Sequence, residues 1–173
     1  MRLTRWLPGA LILAALAIML PVGAAAAPAR PGAPPACRAS LETWFAPEGN
    51  GFAGGATYVV EFSNIGTTTC TVRGYPTVKQ LENGTQAGLK ATDIGPAPAT
   101  VTLKQGQTAH VALTIHAPAS CTPVPTNQLR VQPPGNTSAR VFSLVAFGAC
   151  RHMSTMDVDA INPGVGIPFF TIH

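Results

Sequence analysis

The chain is poor in charge: only 10% of its 173 residues are Asp, Glu, Lys or Arg, and only 6% are aromatic. With hydrophobic residues at 46%, this excludes the highly charged, core-poor class of disordered chain. Closely spaced cysteine pairs are missing as well, since the nearest two, Cys121 and Cys150, stand 29 positions apart. Zinc sites are usually built from ligand pairs such as C-x-x-C, so this spacing argues against one. There is no Gly-x-Ser-x-Gly and no His-Glu-x-x-His, the local signatures of common hydrolases. The carboxylates available for sugar cleavage are Glu42, Glu48, Glu61, Glu82, Asp93, Asp157 and Asp159, most of them isolated. The reading is therefore non-enzymatic, with a small secreted hydrolase as an alternative, because a triad assembled by folding leaves no local motif.

What is abundant is Gly and Pro, 17 of each. Both interrupt helices, and they favour a loop-rich, all-β body. The length allows one ordinary domain. Met1 to Trp6 carries Arg2 and Arg5, Leu11 to Val22 is an apolar run broken only by Pro21, and small residues follow from Gly23 to Ala27. This is the layout of a secretory signal over residues 1–27, with cleavage expected between Ala24 and Ala29. The apolar run is short for a membrane-spanning helix, which needs about 20 residues, so no span is expected in the mature protein. Pro28, Pro31, Pro34 and Pro35 then make residues 28–36 an extended tether, and the body is expected over 37–173.

Removing Arg2 and Arg5 leaves the mature chain weakly basic. Arg73, Lys79, Lys90, Lys104, Arg130 and Arg140 are scattered singly in sequence, so nucleic acid is not an expected partner. Export places the four cysteines in an oxidising space, where an even count reads as disulfides. Three pairings are open. Cys37 with Cys70 and Cys121 with Cys150 is preferred, because each pair brackets a self-contained group of strands.

Period-two alternation marks those strands. Tyr58, Val60 and Phe62 share a face, as do Cys70 and Val72, and Thr77 to Leu81 runs into Asn83-Gly84, which suits a tight hairpin returning through Leu89. Val101 and Leu103 precede the clearest alternation, Ala109, Val111, Leu113 and Ile115. Leu129 with Val131 forms another, and Met156, Val158 and Ala160 the last. Arg140 to Phe147 is apolar on both faces and reads as a central, doubly covered strand. The sum is an all-β, immunoglobulin-like antiparallel β-sandwich of about nine or ten strands with two disulfides. Trp44 stands too soon after Cys37 for the buried tryptophan of antibody domains, so the likeness is one of architecture.

Cys37, Gly54-Gly55, Glu61-Phe62-Ser63-Asn64-Ile65-Gly66, Cys70-Thr71-Val72-Arg73-Gly74-Tyr75-Pro76, Val101-Thr102-Leu103 with Gly106, Cys121 and Pro163-Gly164 form a recognisable series. In these residues the chain resembles a family of exported actinobacterial proteins classed as a domain of unknown function, over approximately Cys37 to Ile172. The resemblance implies a secreted or envelope-attached β-sandwich, often behind a proline-rich tether or lipid anchor, with no established activity. Gly74-Tyr75-Pro76 also reads as a structural corner, its tyrosine hydroxyl bonded to backbone.

Several residues invite a functional reading. His152, Met153 and Met156 offer imidazole and thioether ligands for copper, although in a strand Met153 points away from the other two. Met156 also continues the core alternation, so copper stands as an alternative and no cofactor is expected. His110 and His116 lie on the polar face of one strand, roughly 20 Å apart at about 3.3 Å per residue, and read as solvated. Asp157 and Asp159 share a strand face but lack the further oxygens of a calcium site. The loop Gly49 to Gly55, with Phe52 exposed, and the loop Ile94 to Ala99 are the expected recognition surface. The partner expected there is a protein or glycan of the cell envelope.

Overall fold

The structure is a computed structural model that describes residues 32–144 and 148–166; the expected signal segment lies outside the described residues. Twelve strands follow one another: β1 (Leu41–Phe52), β2 (Gly55–Asn64), β3 (Cys70–Val72), β4 (Thr77–Glu82), β5 (Thr85–Gln86), β6 (Thr92–Asp93), β7 (Val101–Leu103), β8 (Thr108–His116), β9 (Gln128–Gln132), β10 (Arg140–Ser143), β11 (Met156–Val158) and β12 (Asn162–Pro163). The described residues contain no helix.

One sheet has the order β1-β2-β8-β11-β6, with β12 also on β8; a second has β10-β9-β4-β5, and β3 pairs with β7. Val60, Phe62, Val111, Leu113, Ile115, Met156 and Val158 from the first sheet pack with Val78, Leu129 and Val131 from the second. Val72, Val101 and Leu103 complete the same cluster, which makes the body a β-sandwich around one core. The alternation of β8 is realised in full: Ala109, Val111, Leu113 and Ile115 have no exposed surface, and the residues between them are half-buried.

Three expectations need correction. The strand count is twelve, because β6 and β12 are two-residue pairings too short to show a period, and because β1 hides behind turn-forming residues. In β1 an irregularity between Ala46 and Asn50 absorbs Pro47 to Gly49, and pairing resumes as Asn50 with Thr57, Gly51 with Ala56 and Phe52 with Gly55. The expected loop Gly49 to Gly55 is thus the tip of a hairpin. Second, strand pairing is antiparallel except for β11 with β6, which is parallel. Third, β10 is an edge strand. Val141 stands opposite Arg130 and is 51% exposed, while Phe142 faces inward to Phe45, so one face of β10 is open to solvent. Residues 145–147 of the expected strand lie outside the described residues.

Local chemistry explains the connections. Asn83 and Gly84 take φ of 49° and 84°, the positive pair that a two-residue hairpin between β4 and β5 requires. The Tyr75 hydroxyl donates to the carbonyl of Pro96 at 3.0 Å and the Gly74 carbonyl accepts from the Ile161 amide at 3.1 Å, which makes the expected corner. Disulfides join Cys37 to Cys70 and Cys121 to Cys150, the preferred pairing. Beside the first, Cys37 donates to the Thr71 carbonyl and Thr71 to the Pro35 carbonyl, both at 2.8 Å. The end of the expected tether is therefore hydrogen-bonded onto β3. Arg140 of β10 forms an ion pair with Glu42 of β1, tying the edges of the two main sheets together.

Candidate functional site

A broad concavity lies at the end of the sandwich where β8 finishes and β9 begins. Val78 and Gln80 point into the core from β4, and Glu82 continues their side of the strand past the end of the core. Facing Glu82 is the connection from β8 to β9. Val124 and Ala149 exchange backbone hydrogen bonds of 2.8 and 2.9 Å, and the Cys121–Cys150 disulfide fastens the same two segments together. The resulting groove, about 780 Å³, is lined by Glu82, Thr122, Pro123, Val124, Met153 and the disulfide, with Arg151 and His152 along one side. A smaller neighbouring hollow of about 380 Å³ shares Glu82, Val124, Arg151 and His152 and extends the groove to Thr85, Gln86 and Gly88.

The groove combines an apolar floor with separate charges. Pro123, Pro125, Val124 and Met153 supply apolar surface, and Met153 is 45% exposed. Arg151 is exposed and Glu82 half-buried, and neither forms an ion pair among the described residues. Such a surface can bind an extended segment by apolar contact and orient it with polar groups. All four cysteines are in disulfides, so the sulfur in the groove wall is not a thiol nucleophile.

The residues singled out from the sequence are distributed differently. His152 and Met153 line the groove together, but Met156 is 1% exposed and belongs to the core, so the three copper candidates do not share a surface. Among the described residues no group of three or more His, Cys, Asp or Glu side chains is placed to hold an ion. His110 and His116 remain partly exposed, and each has a polar partner. His110 Nδ1 lies 3.0 Å from the Gly164 carbonyl, and His116 Nε2 lies 2.8 Å from Asp157 Oδ2. Phe52, 48% exposed at the hairpin tip, sets its ring edge-on to that of His116. Asp159 Oδ1 accepts the Ala112 amide at 2.7 Å. Burial pushes the Asp159 carboxyl above its ordinary value, against the opposing pull of the Ala112 hydrogen bond and the His110 charge. Burial likewise raises Tyr58.

The two loops expected to form a recognition surface are not brought together. Gly54 accepts the Ala117 amide at 2.8 Å, which fixes the β1–β2 hairpin at the groove end. Ile94 donates to Val158, and from there Pro96 and Pro98 meet Tyr75 and Arg73 toward the opposite end. Sequence reasoning did not bring Glu82, Arg151 and Ser120 to Pro125 together as one surface, because no two of these segments adjoin in sequence. The available signal was the Cys121–Cys150 pairing itself, which draws the segments around each cysteine together.

The family model described as Domain of unknown function (DUF4232) matches residues 37–162, and the chain belongs to that family. No curated protein matches the chain, and no solved structure does.

Proposed function

From membership of a family that carries no assigned activity, we propose that this chain is an exported, non-enzymatic β-sandwich that binds a protein or glycan of the cell envelope through the groove beside Cys121–Cys150. The observation that carries this reading is the groove's construction. A disulfide and a backbone bridge hold its wall, Pro123 and Pro125 stiffen it, and Met153 and Val124 present apolar surface between the charges of Glu82 and Arg151. A preformed wall lowers the ordering cost of binding, and apolar surface beside fixed polar groups is the usual composition of a recognition site. Export is supported by the arginine-led apolar N-terminal segment together with two disulfides, which persist in oxidising compartments.

The test uses the mature protein, Val124→Glu and Met153→Lys, each checked for native near-ultraviolet circular dichroism. The three proteins are compared on a glycan array and in crosslinking to envelope extract. The reading expects a ligand retained by the native protein and lost by both variants. Equal retention by all three, or turnover of the retained ligand by the native protein, overturns it.

A further inference from the structure

Lys79 and Arg130, which stand far apart in the sequence, are direct partners in the antiparallel register of β4 and β9. Side chains of directly opposed residues emerge on one face about 5 Å apart at Cβ. Here the face is the outer one, because Val78, Gln80, Leu129 and Val131 on the alternate positions are buried. The next pair on this face is Thr77 with Gln132, and these four side chains line a concavity of about 150 Å³.

Like charges directly opposed in a sheet disfavour the pairing, and a nearby carboxylate usually relieves them. The partnered carboxylates nearby in the described residues go elsewhere: Glu42 pairs with Arg140 and Asp93 with Lys90, while Asp157 is hydrogen-bonded to His116. Neither Lys79 nor Arg130 has an acidic partner among the described residues. Gln132 is fixed in the wall by donating its amide to the Asn136 carbonyl. Lys79 also borders a second hollow of about 560 Å³ lined by Leu89 and Ala91 together with the Lys90–Asp93 ion pair, with Leu89 49% exposed.

We propose that this outer face of β4 and β9 is a binding subsite for an anionic oxygen group, a sulfate, phosphate or carboxylate. The Arg130 guanidinium offers a planar fork of donors, Lys79 a mobile point charge and Thr77 a hydroxyl. An oxyanion between the two cations turns their repulsion into two attractions. The oxyanion arrives either as a free ion or as part of a larger acidic glycan, whose ring would pack on Leu89. The site lies on the sheet face, away from the disulfide groove, and stands independently of the binding reading given for that groove.

The experiment follows thermal unfolding and binding of the mature protein, Lys79→Gln, the double variant Lys79→Gln/Arg130→Gln, and Lys104→Gln as a control. The probes are sodium sulfate against sodium chloride at matched ionic strength, a heparin-derived hexasaccharide and a neutral hexasaccharide. Because sulfate stabilises proteins generally, the measure is the excess shift over the double variant. The expected result is an excess sulfate shift in the native and Lys104→Gln proteins, or tenfold or more loss of heparin-hexasaccharide affinity in the double variant. A sulfate effect without oligosaccharide binding assigns the site to the free ion, and the reverse assigns it to an acidic glycan. Equal sulfate shifts in all proteins, together with heparin affinity unchanged in the double variant or matched by the neutral sugar, overturn the proposal.

Discussion

Thr155 donates its hydroxyl proton to Gln80 Oε1 at 2.9 Å, and both side chains are buried at the groove end of the core. Gln80 also reaches Thr126 Oγ1 with its amide at 3.4 Å, so it links the connection before β9 to the segment before β11. Thr155→Val keeps the shape and removes one partner of a buried acceptor. That loss costs about 1–3 kcal/mol. Urea unfolding of the variant is expected to show a lowered midpoint with an unchanged slope. A midpoint equal to the native one would mean that Gln80 is satisfied without Thr155.

The Cys121–Cys150 bond joins residues 29 apart, and in the chain-entropy model such a crosslink stabilises by roughly 3 to 4 kcal/mol. Replacing both cysteines by serine is expected to lower stability by that order in chemical unfolding. It is also expected to loosen the groove wall more than the rest of the body. Hydrogen exchange checks the second part: the amides of Val124 and Ala149, which exchange hydrogen bonds across the wall, lose protection, whereas those of Val111 and Leu113 in β8 keep theirs relative to the new global stability.

The all-β class and the core strands were legible in the sequence because they rest on alternation. Tyr58, Val60 and Phe62 in β2, and Ala109 to Ile115 in β8, announce one buried face each. Of the three disulfide pairings open to the sequence, the preferred one formed; it was preferred because each pair brackets a self-contained group of strands. What alternation cannot reveal is which strand ends at an edge. Val141 and Phe142 look equally apolar, and only pairing with β9 decides that one is exposed and the other faces inward. The site was less legible for a related reason. Glu82 and Arg151 meet at the groove through strand direction and a distant disulfide, and Lys79 meets Arg130 through register. Residues placed by long-range pairing leave no local pattern.

Gly88 and Gly84 both take positive φ, 80° and 84°, but their surroundings differ. A Cβ on Gly88 would lie 2.6 Å from the Cys150 carbonyl oxygen, whereas one on Gly84 would meet nothing within 4 Å. Gly84→Ala is therefore expected to cost only the backbone term, about 1 kcal/mol. Gly88→Ala adds a backbone clash and is expected to cost more, with a visibly lower Tm. Thermal unfolding of the two variants side by side checks the order, and equal losses would show that the segment after β5 moves freely away from Cys150.

Asp159 supplies a pH dependence with a definite sign. Burial raises its folded pKa above the ordinary aspartate value of 3.8, so between that value and the folded pKa the native state holds more protons than the unfolded chain. Stability from this group is fully present below the unfolded pKa and declines as pH rises through the folded one, because the native state must then keep a half-buried charge. Asp159→Asn removes that charge and retains an oxygen able to accept the Ala112 amide, now 2.7 Å from Asp159 Oδ1. The variant is expected to match or exceed the native protein at neutral pH and to lose the fall in stability that the native protein shows as pH rises through the raised Asp159 pKa. Urea midpoints measured at steps from acid to neutral pH read this directly. A larger deficit of the variant at neutral pH than in acid would show that the ionised carboxylate is held by Ala112 and His110 more strongly than burial opposes it.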